Sequence, residues 1–193
     1  MSGRTYDPGV AVETTEIHRL TLDEYHGMAA SGVFDDARVE LLDGYMVDLP
    51  VRSPAHEDAV AWLVDRLHPA VDQTRFQVRI GAALTIGRSE PEPDIFVVAR
   101  DAPRPHHPGT ATLVVEVSHS SLRRDLRVKP RIYAEAAIPR YWVVDLDHGR
   151  AVVHTAPGPQ GYDRVEAVGP DGSLEAPELG ISLPLAELFA AVG

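Results

Sequence analysis

The sequence predicts a mixed α/β (α+β) fold, a mixed β-sheet flanked by helices and carrying extra β-hairpins. Two observations lead there. A capped helical segment near residues 21–30 is followed by many short β-prone runs with longer helical segments set among them. Helical and extended segments also fail to alternate strictly, as a purely parallel βαβ succession would require. At 193 residues, 44% hydrophobic and 24% charged, the chain has a globular composition and enough length to bury a core without disulfide or metal staples.

Residues 1–16 are polar and without period, and read as a loose arm ahead of a single domain over 17–193. Thr21-Leu-Asp-Glu24 is a capping box that opens a helix running to about Ala30. Two β-prone runs, Arg38–Leu42 and Tyr45–Leu49, flank Asp43-Gly44 and predict a hairpin. Ser53-Pro54 introduces a helix from about Ala55 to Ala70, with Val60, Leu63, Val64 and Leu67 on one stripe. Phe76–Ile80, Ala83–Ile86, Ile95–Ala99 and Leu113–Ser118 read as strands; a Pro/His/Gly-rich connection at 101–110 separates the last two. Arg123–Ala136 is helical in outline, but Pro130 requires either a start near Val128 or a kink. Tyr141–Leu146 and Ala151–Thr155 flank Asp-His-Gly-Arg and predict a second hairpin. One more strand falls within the turn-rich 156–173, and a short helix over Leu185–Val192 closes the chain.

Composition excludes several functions. A net charge of −11 argues against a protein that coats nucleic acid through bulk charge, though not against a local basic site. The absence of cysteine removes disulfide scaffolds, thiol nucleophiles and thiolate metal sites. No signal peptide is visible, and no apolar run approaches the roughly 18–20 residues of a membrane span, so a cytoplasmic protein with no membrane partner is expected. A Gly-x-Ser-x-Gly elbow is missing, which argues against a serine hydrolase. Aromatic residues make up only 6%, and both tryptophans sit in core-like contexts, which argues against a glycosidase.

The strongest constellation is Glu92-Pro93-Asp94 ahead of one strand and Glu116 within the next, in Leu-Val-Val-Glu-Val-Ser. If these strands are antiparallel neighbours, Asp94 lies beside Glu116. Two carboxylates at one sheet end form an oxygen-only site suited to Mg²⁺. Glu116 also interrupts a valine run, where an ionised carboxylate is costly without a compensating cation or hydrogen bonds. The plainer alternative makes Asp94 a loop cap and Glu116 a solvent-facing strand residue. Of the 18 basic residues 17 are arginine, and the single lysine is Lys129. It lies in Arg123-Arg-Asp-Leu-Arg-Val-Lys-Pro-Arg131, the most basic stretch of the chain. Arginines here would position phosphates, and an amine near a metal would orient or deprotonate water. Glu40 and His56 are weaker candidates, while Asp125 and Asp145 read as caps or turn formers.

The succession Arg-Val-Glu-Leu-Leu-Asp-Gly, Ser-Pro-Ala-His, Glu-Pro-Glu-Pro-Asp-Ile, Leu-Val-Val-Glu-Val-Ser, Asp-Leu-Arg-Val-Lys and Ile-Pro-Arg-Tyr-Trp-Val-Val-Asp resembles a bacterial family of restriction-endonuclease-like proteins. That family is placed in the PD-(D/E)XK nuclease superfamily, and the resemblance spans roughly residues 18–190. It implies a four- to five-stranded mixed sheet with flanking helices. It further implies Mg²⁺, with Mn²⁺ as a substitute, held by Asp94, Glu116 and the carbonyl of Val117. Ser118 stands where the superfamily usually has its lysine, and the matching lysine is Lys129 on the next helix. Glu40 matches an acidic position near the metal, and His56 a recurrent histidine.

The resulting expectation is a Mg²⁺-dependent endonuclease that hydrolyses DNA with a metal-activated water. Asp94, Glu116, Lys129 and Glu40 would be catalytic, and Arg123, Arg124, Arg127 and Arg131 would contact phosphates. A homodimer would suit cleavage of both strands of a duplex, though no sequence feature demonstrates one. The competing expectation is a non-catalytic module that keeps the nuclease fold for binding or assembly; the charge of −11 and Ser118 favour it.

Overall fold

The computed structural model describes residues 17–102 and 106–193. The anticipated arm at 1–16 lies outside the described residues. Helix α1 (Leu22–Ala30) opens with the anticipated capping box: the Thr21 side chain accepts from the Glu24 N–H, and the Glu24 carboxylate accepts from the Thr21 N–H. Strands β1 (Val39–Leu42) and β2 (Tyr45–Asp48) then form an antiparallel hairpin. Asp43 and Gly44 both have positive φ, 54° and 80°, which gives the right twist for a two-residue turn. Helix α2 (Pro54–Ala70) has Ser53 as its cap, with the Ser53 side chain accepting from the His56 N–H.

Six strands make the central sheet, in the order β3 (Phe76–Ile80), β4 (Ile95–Ala99), β5 (Leu113–Ser118), β6 (Arg140–Asp145), β7 (Arg150–Gly158) and β8 (Gly161–Val168). All neighbours are antiparallel except β5 and β6, which are parallel and joined by helices α3 (Leu122–Arg127) and α4 (Lys129–Glu135). A parallel pair needs a crossover connection of this kind. The sheet therefore has six strands, more than the resemblance implies.

Ala83–Ile86 is not a strand; it is an irregular connection with a single bridge from Ile86 to Ser89. Its apolar side chains, Leu84 and Ile86, are buried for packing rather than for pairing. A further hairpin, β9 (Ser173–Ala176) with β10 (Ile181–Pro184), was not anticipated, because a 3-10 turn at Pro177–Leu179 breaks the strand pattern. Helix α5 (Leu185–Val192) ends the described chain.

Strand alternation sends side chains to two cores. On one face Ile95, Val97, Val115, Trp142 and Val144 pack with α2, α5 and the β9–β10 hairpin. On the other Phe96, Val98, Val114, Tyr141 and Val143 pack with Ile132 and Tyr133 of α4. Asp94 and Glu116 have the parity of Phe96 and Val114, and so face the α4 side. Tyr133, Tyr141 and Trp142 are fully buried.

Gly44 holds the β1–β2 tip in place. A Cβ there would come within 2.8 Å of the Leu20 carbonyl and 2.9 Å of Arg19 Cβ, on a backbone at φ 80°. At Gly149, in the β6–β7 turn, φ is 57° but nothing lies within 4 Å. Gly149→Ala should therefore cost only the left-handed backbone penalty, about 1–2 kcal/mol. Gly44→Ala should add about 1–3 kcal/mol of overpacking to that penalty. Urea unfolding of the two variants checks the order.

Candidate active site

Register assembles the site. Ile95 pairs with Val115 in the antiparallel β4–β5 ladder, so Asp94, one step earlier, stands opposite Glu116. The two strands bring both carboxylates to one end of the sheet. Asp94 Oδ2 accepts a hydrogen bond from the Val117 N–H at 2.9 Å. The first turn of α2 adds His56, whose Nε2 lies 3.1 Å from Asp94, and Arg52 approaches Asp94 Oδ1 at 3.8 Å. Burial by itself would raise the Asp94 pKa. The hydrogen bond and charge of His56, the Val117 N–H and the Lys129 ammonium outweigh it and hold this carboxyl below its ordinary value.

Glu116 is 4% exposed, so it does not face solvent as the plainer alternative held. Its Oε1 accepts from Lys129 Nζ at 2.7 Å and from the Tyr133 hydroxyl at 2.8 Å. Lys129 is itself 1% exposed, and its Nζ also lies 3.2 Å from Glu40 Oε2 and 3.6 Å from Asp125 Oδ1. Burial pushes the Glu116 carboxyl well above its ordinary pKa; Lys129 opposes this, and the carboxylates of Asp125, Asp94 and Glu40 add to it. For Lys129 burial would favour the neutral amine. Glu116, Glu40 and Asp125 more than reverse that and hold the ammonium protonated.

The remaining members secure these groups. Glu40, fully buried on β1, accepts from the Glu92 N–H at 3.2 Å, and its Oε1 lies 3.3 Å from Arg124 Nε. Asp125 accepts from Ser118 Oγ at 2.7 Å and Ser121 Oγ at 2.5 Å, while its carbonyl accepts from the Tyr141 hydroxyl. These bonds fasten α3 to β5 and β6. Pro130 is accommodated because the helix breaks at Val128 and restarts at Lys129, which places the proline in a first turn where no backbone donor is needed. The break turns Lys129 inward.

Asp94, Glu116, Lys129, His56 and Arg124 all border one pocket of about 50 Å³. Ser118 does not border it; its hydroxyl is committed to Asp125, so the residue in the superfamily's usual lysine position is structural here. The four arginines of the basic stretch separate. Arg124 reaches the pocket, Arg123 and Arg127 border an adjoining groove, and Arg131 is paired with Asp43. Asp125 is not a simple cap, whereas Asp145 does shape its turn, accepting from the His148 N–H and Arg150. Sequence reasoning missed Tyr133 and the inward role of Asp125, although both stand four residues from Lys129, on its helical side. Arg52 and Arg38, which also border the pocket, had no local signal.

The donor set fits a hard cation. It offers oxygen ligands, the Asp94 and Glu116 carboxylates and the Val117 carbonyl, and among the described residues Glu116 Oε2 has no protein donor. Among the described residues no group of three or more His, Asp or Glu side chains is gathered as a metal cage. Mg²⁺ needs no such cage, since it keeps several waters and takes one or two carboxylates.

A family model described as "Uma2: Putative restriction endonuclease" matches residues 22–186. The chain belongs to this family. Among solved structures, the crystal structure of "a putative nuclease belonging to DUF820" from Anabaena variabilis superposes with a TM-score of 0.73 at 16% identity, covering 90% of this chain and 99% of that one. That likeness establishes a nuclease-like fold, as the resemblance to the PD-(D/E)XK superfamily implied. No curated protein matches. The Uma2 match takes in every site residue described above, from Glu40 to Tyr133. Among the described residues, no helix is long and apolar enough to cross a membrane.

The charge balance makes Glu116 and Lys129 unequal. Lys129→Met should destabilise the metal-free protein by about 3–5 kcal/mol, because it leaves the buried carboxylates of Glu116 and Asp125 without their cation and Glu40 with Arg124 alone. Glu116→Gln retains an acceptor for Tyr133 and removes one excess negative charge, so it should leave stability at pH 7 unchanged or raise it. Urea unfolding in EDTA compares the two.

Proposed function

We propose that the chain is a Mg²⁺-dependent endonuclease that hydrolyses DNA phosphodiester bonds by an activated water. The observation that carries this reading is the meeting of Asp94, Glu116 and the single lysine at one pocket, in a chain of the family described as "Putative restriction endonuclease". Asp94 and Glu116, with the Val117 carbonyl, would hold the cation. When bound, it polarises the scissile phosphate and lowers the pKa of the attacking water.

The chain's own groups supply the rest. His56 orients Asp94 from one side while the Val117 N–H holds its Oδ2. Lys129 supplies a fixed positive charge at Glu116, to orient the water and to balance charge that develops on the phosphate. Glu40 acts as a positioning residue for Lys129 and Arg124. Arg124 and Arg52, at the pocket wall, are placed to meet the phosphate.

A second reading, a binding or assembly module without catalysis, gains an observation from the structure: the Lys129 ammonium is spent on three carboxylates and is almost completely buried. Cleavage of plasmid and single-stranded DNA with Mg²⁺ or Mn²⁺ separates the two. Metal-dependent cutting by wild type that Asp94→Ala abolishes supports the nuclease, and Lys129→Ala should then slow cutting by about 10²–10³-fold. Thermal melting gives a readout free of turnover. At a hundred times Kd the metal should stabilise wild type by about 2.7 kcal/mol, and Asp94→Ala should lose that gain. No cutting together with no metal-induced stabilisation would leave the binding module.

A further inference from the structure

The pocket holding Asp94 and Glu116 does not end at its mouth. Arg124 and the turn Ser120-Ser121 border it, and the same residues border a second, open groove of about 650 Å³ between the β1–β2 hairpin and α3. Arg123 and Arg127 stand along this groove; both are exposed, and neither makes an ion pair among the described residues. The carboxylate on its border, Asp43, is already neutralised by Arg131. Its other surfaces are apolar or aromatic: Tyr45 and Val47 on the hairpin, and Val128 at the helix break, 38% exposed. In a chain of net charge −11, two unpaired arginines beside a carboxylate-poor groove, with Arg124 held by Glu40 where the groove meets the pocket, are a local reversal of sign.

We infer that this groove is the track for single-stranded DNA, which leads one strand to the recessed carboxylates. The inference takes its direction from the nuclease reading and adds the substrate's form. A single strand can lay its bases or sugars on Tyr45, Val47 and Val128 while its phosphates meet Arg123, Arg127 and Arg124. A duplex turns its bases inward and would cover the apolar strip with nothing to match it. The depth of the site agrees. The side chains of Asp94, Glu116 and Lys129 are only 10%, 6% and 2% exposed, so the chain that delivers a phosphate must bend into a space that admits a few waters. Val51, 97% exposed beside Arg52, also borders the pocket and offers an apolar surface to a nucleotide next to the one in the site.

The test is binding, followed by fluorescence anisotropy with Asp94→Ala protein in EDTA, so that no cutting intervenes. The probes are a labelled dT20, a labelled 20-base-pair duplex and a labelled U20. The track predicts that dT20 binds at least about tenfold tighter than the duplex. Adding Arg127→Glu or Arg123→Glu should weaken dT20 binding by about tenfold and reduce the salt dependence of log Kd by about 0.7 per arginine. Tyr45→Ala should weaken it while leaving that salt dependence unchanged. Arg75→Glu, ahead of β3 and outside the groove, should do neither. Melting temperatures confirm that each variant is folded.

Duplex binding as tight as dT20, or reversal of Arg123 and Arg127 without effect, overturns the track, and tighter binding of U20 replaces DNA with RNA as its occupant. Cutting of duplex alone by the wild type would reject the track and keep the nuclease. Tight dT20 binding by a protein that never cuts would do the opposite.

Discussion

Lys129 Nζ lies 2.7 Å from Glu116, 3.2 Å from Glu40 and 3.6 Å from Asp125, and all four residues are essentially out of contact with water. The four come from α4, β5, β1 and α3, so a single ammonium ties the early hairpin to the consecutive elements β5, α3 and α4. Taking charges out of water is expensive, and mutual attraction offsets the expense only where geometry and further hydrogen bonds are good. That requirement accounts for the surroundings: Tyr133 on Glu116, Ser118 and Ser121 on Asp125, and the Glu92 N–H on Glu40. Carboxylates outnumber the ammonium, and the remaining negative charge suits the approach of a cation.

The sheet is subordinate to the same demand. Its one parallel pair, β5–β6, creates the crossover that places α3 and α4 over the sheet face carrying Asp94 and Glu116. The helix break at Val128 serves it too. A continuous helix would set Pro130 in an interior turn, whereas the restart allows the proline and aims the lysine at the sheet. Packing on the opposite face, with Trp142 and α2 at its centre, is ordinary apolar core and keeps the site end rigid.

Charge is distributed by the same economy. The chain is acidic as a whole, yet exposed Arg123 and Arg127 border the groove where α3 meets the hairpin, next to the pocket that holds Asp94 and Glu116. Such an arrangement attracts a polyanion locally while the rest of the surface repels it. The structure thus sets a recessed pair of carboxylates beside arginines at its rim, the arrangement on which the proposed phosphodiester chemistry rests.

The capping box at Thr21, the Asp43-Gly44 turn and the short apolar runs of β4, β5 and β6 were legible in the sequence because each depends on residues a few positions apart. So was the pairing of Asp94 with Glu116, since adjacent antiparallel strands of known ends leave little freedom in register. The singular lysine was legible by composition alone. The β9–β10 hairpin was not, because a 3-10 turn interrupts its pattern, and Ala83–Ile86 misled because apolar residues bury equally well without pairing. The sequence by itself determined the order of elements, the candidate carboxylates and the lysine. Only the tertiary structure decided that Glu40 and Asp125 share that lysine, that Ser118 serves as a structural bond, and that Arg52 and Arg38 stand at the pocket. Apart from Asp125 and Lys129, which stand four residues apart, those are contacts between residues of separate elements, and burial and charge balance settle them once the elements have packed.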